Sequence, residues 1–199
     1  AQVFLSFCVQ NIFKLWFTAI GSCSLNEKTV LVCSKFPSGL KVIEFEKLLV
    51  DILSIPEVKV QLVAAVGAIE ECSYGETQNF LQLSPISLAK LLITGIAENG
   101  EMFFPPVPNL IFTRDIGIVI NDHILLNKPA RIARSRESLL AKYIFFNHPL
   151  FEELKGKIIE IEEDEEHFLL PEEEQESRID TLEGGDVMMV APSHLLIGI

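Results

Sequence analysis

The feature that most constrains this chain is a switch in the period of its apolar residues. Between Pro56 and Gly100, Val60, Val63, Ala64, Ile69, Phe80, Leu81, Leu88, Leu91, Leu92 and Ile96 recur at three- and four-residue steps, while short β-branched runs lie on either side. Helical and strand periods cannot share one segment, so the fold must set a block of helices between two strand-bearing parts.

Upstream, Lys28–Cys33 reads as a buried strand. The turn residues Phe36-Pro37-Ser38-Gly39 follow, then a second strand Leu40–Phe45 and a helix Glu46–Leu53 that stops before Ile55-Pro56. Inside the helical block, Ser84-Pro85 pairs a capping hydroxyl with a proline at the first helical position, and that helix is expected to run to about Asn99-Gly100. Its apolar stripe is a packing face rather than a cofactor or membrane face.

Downstream, Leu110–Phe112 and Ile116–Ile120 read as strands, with Asn121-Asp122 turning the chain into His123–Asn127. A helix from about Ser135 to Phe146, ended by His148-Pro149, precedes a strand at Lys157–Ile161. A last hairpin pairs Asp186–Val190 with His194–Ile199. The β-β-α order thus recurs on both sides of the helical block, and repeats of such a unit would share one layered core.

Composition narrows the function. The 199 residues are 49% hydrophobic and 22% charged, enough to bury a core, and the net charge of −12 without a basic cluster argues against nucleic acid. Four cysteines without a CxxC pair and four scattered histidines signal neither a disulfide framework nor a zinc site, so no metal, no cofactor and a cytoplasmic setting are expected. The first 24 residues form an apolar leader, unassigned: Gln10, Asn11 and Lys14 interrupt it, so it fits a signal segment or a membrane span poorly, and no membrane partner is expected. Glu160 through Glu176 carries ten acidic and no basic residues, which reads as a solvated loop, without the turning glycine of a calcium loop.

Two motifs stand above this background. Residues 108–115, PNLIFTRD, end in Arg114-Asp115, and Leu182-Glu183-Gly184-Gly185-Asp186 enters a strand about 70 residues later. Paired glycines let a backbone turn sharply, so flanking carboxylates can face one cavity from two directions. Carboxylates held that way suit a guanidinium, whose donors form a rigid planar fork. Each motif alone is equally a strand-end ion pair or a hairpin turn.

PNLIFTRD, ARSRESLLAKYIFFNHP and LEGGDVMMVAPSHLLIGI together strongly resemble the arginine deiminase family, within a superfamily that includes amidinotransferases and dimethylarginine hydrolases. The resemblance covers roughly residues 25–199, about the first half of the family's length. It implies an α/β fold, a partial α/β-propeller of the pentein type built from repeated ββαβ modules over 25–48 and 103–199, with an all-helical insertion at 49–102. It also implies hydrolysis of L-arginine to L-citrulline and ammonia through a cysteine-bound amidino intermediate, with a histidine as acid/base.

Carried over by position, Asp115 would hold the substrate guanidinium with Asn109 close by, and Arg134 would pair with the substrate carboxylate. Glu183 would orient the catalytic histidine and Asp186 would support the turn. Asp115 and Glu183 are thus the expected catalytic pair. Arg114 would be structural, and Arg136 is the alternative to Arg134. The expected partners are L-arginine or a related guanidino substrate, and either a homo-oligomeric copy or a missing C-terminal half.

The departures from the family are as specific as the matches. Its His-x-Asp segment and its nucleophilic cysteine come after the LEGGD motif and have no match here, and none of Cys8, Cys23, Cys33 or Cys72 stands in the nucleophile's context. This chain alone is therefore expected to be inactive. A degenerate or truncated non-catalytic paralogue that binds guanidino compounds, or an interaction module, is the alternative.

Overall fold

The computed structural model describes residues 44–108, 110, 113–161 and 181–198. The strand at 28–33, Asn109 and nearly all of the acidic stretch lie outside the described residues, as does the leader.

Four helices come first: α1 Phe45–Leu53, α2 Pro56–Ile69, α3 Tyr74–Gln82 and α4 Pro85–Thr94. The expected strand Leu40–Phe45 does not extend to its last residue, because Phe45 opens α1. The reason is periodic: Phe45 shares one face with Leu48, Leu49, Ile52 and Leu53, all packed into the core.

The helix starts follow local chemistry. Ser73 and Glu76 form a reciprocal capping box at α3. Ser84 accepts from the Ser87 N–H at 3.1 Å, and Pro85 occupies the first turn of α4. That helix stops at Thr94, short of Asn99-Gly100, because Gly95 takes a left-handed φ of 74° and caps it. A Cβ on Gly95 would lie 1.7 Å from the Phe104 carbonyl oxygen, so the returning chain packs directly on this glycine.

The α/β part begins with a single helical turn, α5 Thr113–Ile116, where strand residues were expected from Ile116 on. Then β1 Ile118–Ile120 pairs antiparallel with β2 His123–Leu125 across the Asn121-Asp122 turn, with Asn121 at φ 53°. The short turn Ile132–Arg134 leads into α6 Ser135–Asn147, and a 3-10 segment Pro149–Leu154 leads to β3 Ile158–Ile159, which pairs parallel with β2. This is one β-β-α-β unit. The expected last hairpin forms from β4 Val187–Ala191 and β5 His194–Ile197, with a register irregularity between Met189 and Ala191.

Alternation along β2 explains how the parts assemble. Ile124 and Leu126 face a core built with α6 and helices α1 to α4, including Leu49, Leu62, Phe80, Leu92, Leu140 and Ile144. Leu125 points the other way, into a smaller cluster with Ile118 and Val187 at the base of the last hairpin. The helices therefore share one core with the β-β-α-β unit. No single helix among the described residues is long and apolar enough to cross a membrane.

Candidate guanidinium site

Along α6, Leu140, Ala141, Ile144 and Phe145 form the buried stripe, and one turn earlier the same stripe is occupied by Arg136 and Glu137. Charged residues at core-facing positions demand partners, since an unpaired buried charge is costly. Both have them.

Arg134, at the N-cap of α6 and 5% exposed, is the centre of the cluster. Its Nη2 donates to Asp115 Oδ2 at 2.9 Å and to Glu137 Oε1 at 2.9 Å, while Nη1 donates to Glu183 Oε2 at 2.9 Å. Burial by itself would lower the pKa of this guanidinium, but the bonds to Glu137 and Asp115 and the charge of Glu183 outweigh it and hold the value above the ordinary one. Three carboxylates around one guanidinium leave an excess of negative charge.

Each carboxylate is held by its own segment. Asp115 sits on the single turn α5, and its carbonyl accepts from Asn127 Nδ2 at 2.7 Å. Glu183 is fixed by its turn: its N–H donates to Asp186 Oδ2 at 2.8 Å, and the Asp186 N–H donates back to the Glu183 carbonyl at 2.9 Å. The Gly198 N–H reaches the Asp186 carbonyl at 2.7 Å, tying this turn to the end of the last hairpin. Glu183 Oε1 also accepts from the Ala130 N–H at 3.3 Å. Glycine freedom is not what shapes the turn at Gly185, which has no positive φ and open space where a Cβ would stand.

Asp115, Arg134, Glu183 and Asp186 are thus brought together, whereas Asn109 and the Arg114 side chain lie outside the described residues. Arg134, expected to face a substrate carboxylate, is here bound to the carboxylates themselves. Glu137 was missed by motif matching; its signal in the sequence is its place on the stripe of Leu140, Ala141 and Ile144, where periodicity calls for an apolar residue. Two atoms of the site, Arg134 Nε and Asn127 Oδ1, are buried without a hydrogen-bond partner among the described residues.

Arg136 has a separate set of partners. Its Nε donates to the Leu92 carbonyl at 3.0 Å, its other nitrogens reach the Glu70 carboxylate and the Pro105 carbonyl, and its guanidinium lies 4.3 Å from the centre of the Phe104 ring. It is a junction residue rather than a member of the carboxylate cluster.

Among the described residues, no cysteine or histidine joins Asp115 and Glu183 in the cluster. Cys72 is partly buried, and burial, together with Glu76 and Glu70, pushes its thiol pKa up, opposite to what a nucleophile requires. His123 bonds Asp122, His194 bonds Ser193, and His148 bonds Asp51 and the Leu150 N–H. No group of three or more side chains suited to a metal ion is present among the described residues.

Residues 80–199 match the family described as arginine deiminase. The arginine deiminase of Limosilactobacillus fermentum is 30% identical over 183 residues, covering 81% of this chain and 41% of its own length. That of Mycobacterium avium is 29% identical over 136 residues, covering 59% of this chain and 30% of its own length. That of Mycobacterium tuberculosis is 31% identical over 108 residues, covering 54% and 23% respectively. The chain spans less than half the length of these relatives. With the family match extending over Asp115, Arg134, Glu137 and Glu183 alike, the chain belongs to the arginine deiminase family.

Proposed function

We propose that these residues form the guanidinium-holding part of an enzyme that hydrolyses L-arginine to L-citrulline and ammonia. The observation that carries this reading is the convergence of Asp115 and Glu183, from separate segments, on one guanidinium, each at 2.9 Å. A pair of carboxylates that seats one guanidinium has the spacing to seat another.

In this reading the substrate guanidinium takes over Asp115 and Glu183, and Arg134 turns to the substrate carboxylate. A cysteine thiolate attacks the guanidinium carbon and ammonia leaves. Water then adds to the amidino carbon, citrulline departs and the thiolate is restored, with a histidine moving the protons. Asp115 and Glu183 bind and orient the reacting group, Glu183 also positions the histidine, and Asp186 keeps the turn in shape. Asn109 completes the binding set. The β-β-α-β unit is one module of a propeller, the helices are its insertion, and the setting is cytoplasmic.

The occupation of the cluster by Arg134 favours a second reading, in which the chain keeps the fold and binds guanidino compounds without turnover. The deciding experiment is citrulline formation from L-arginine by the intact protein and its Asp115→Asn variant. The hydrolase reading expects activity that falls at least about a hundredfold in the variant. Binding without any citrulline would select the second reading, and equal rates in both proteins would remove Asp115 from the mechanism.

A further inference from the structure

Two arginines at the start of a helix oppose its dipole, which favours acidic residues there, so their placement at Arg134 and Arg136 requires an explanation outside α6. For Arg136 that explanation lies in the helical block. Its Nε caps the Leu92 carbonyl, one of the last-turn carbonyls of α4 that have no partner within the helix. Another nitrogen meets the carboxylate of Glu70, the C-cap residue of α2. A third meets the carbonyl of Pro105, in the segment that runs on toward α5 and Asp115. That segment is itself stitched to α4, through the Phe103 N–H to Gly95 at 2.9 Å and the Val107 N–H to Ile93 at 3.0 Å. One side chain, 4% exposed, therefore joins the negative ends of two helices and the segment leading toward Asp115.

The same helical turn carries Arg134 and Glu137. We infer that Arg136 is a positioning residue of the guanidinium site, pinning the first turn of α6 to the helical block so that Arg134 and Glu137 stand in register with Asp115 and Glu183. The inference rests on the functional reading above for its substrate. It adds a role for the helices: they hold the arginine-binding geometry from behind, through contacts that no substrate atom touches. Lysine keeps the charge but offers a single nitrogen, which cannot reproduce a fork spread over Leu92, Glu70 and Pro105.

The test compares Arg136→Lys with Leu62→Ala, which removes apolar volume from the same core but none of the groups that Arg136 hydrogen-bonds. Two quantities are read on each: the side-chain NMR signal of the Arg134 Nε–H, assigned by its loss in Arg134→Lys, and the affinity for L-arginine by calorimetry. Arg136→Lys is expected to shift or broaden the Arg134 signal and to weaken L-arginine about tenfold or more, while Leu62→Ala changes neither beyond about twofold. An unaltered Arg134 signal and affinity in a folded Arg136→Lys protein overturns the inference, as does an equal change in both variants. If Arg136→Lys does not fold, Glu70→Gln carries the same comparison. Should the parent chain bind no L-arginine, the functional reading fails by itself, and the NMR signal still decides whether Arg136 positions Arg134.

Discussion

Arg134 and Glu137, three residues apart at the start of one helix, meet at 2.9 Å with Glu137 only 1% exposed. A carboxylate that deep is tolerated because the guanidinium is beside it, and losing Glu137 leaves the buried Arg134 charge with Asp115 and Glu183 in place of three carboxylates. Glu137→Ala is expected to cost about 3 kcal/mol of unfolding free energy. Glu137→Gln should cost less, because the amide oxygen can still accept from Arg134. Denaturant titration of the three proteins measures the difference. A Glu137→Ala protein as stable as the parent would mean that the pair is not formed.

Gly95 ends α4 in a left-handed conformation with the Phe104 carbonyl against its Cα. Gly95→Ala meets both a backbone penalty and a backbone clash. The loss should exceed the roughly 1 kcal/mol expected of the conformation alone. Gly100→Ala provides the contrast: φ is also positive, but a Cβ there meets nothing within 4 Å. Thermal melting should rank Gly95→Ala well below Gly100→Ala.

Much of this architecture is legible in the sequence. The helical block, the Ser84-Pro85 start, the Asn121-Asp122 hairpin, the helix from Ser135 and the last hairpin all follow from period, caps and turn residues. What local signals do not give is decided by tertiary contact. Phe45 belongs to a helix because its neighbours at three and four residues fill the core, although the run before it has strand character. Thr94 ends α4 because the Phe104 carbonyl packs on Gly95. The motifs single out Asp115 and Glu183, but the partner they share was expected to be a ligand, and it is Arg134. Glu137 escapes motif matching because it is recognised only by its position on the core stripe.

The capping box of α3 gives a pH signature. Hydrogen bonds from the Ser73 hydroxyl and N–H hold the Glu76 carboxyl pKa below its ordinary value. A carboxylate depressed in the folded state contributes stability above its unfolded pKa and loses it as pH falls through the folded one. The stability gap between the parent and Ser73→Ala should therefore be constant near neutrality and narrow below about pH 4. It should not vanish, since the Ser73 hydroxyl also caps the Glu76 N–H in either protonation state. A gap that widens in acid would contradict the assignment.

On the last hairpin, the cross-strand neighbours Met188 and Leu196 are exposed on one face, and Leu195 and Ile197 on the other, so the two-stranded sheet is apolar on both sides. Faces and edges of this kind promote association. The 199-residue chain is expected to self-associate at micromolar concentration, and Leu196→Glu to reduce this. Sedimentation velocity reads the outcome. A monodisperse monomer for the parent chain would show that these faces need no cover.

The most direct measurement is calorimetric titration of the chain with L-arginine and with L-citrulline, repeated on Asp115→Asn. The two ligands share a backbone and differ at the group that Asp115 and Glu183 would hold, cationic in one and neutral in the other. If the carboxylates form a guanidinium site, L-arginine binds, L-citrulline binds at least about tenfold more weakly, and Asp115→Asn abolishes that preference. Equal affinity for both ligands, or an arginine affinity that Asp115→Asn leaves unchanged, would contradict it.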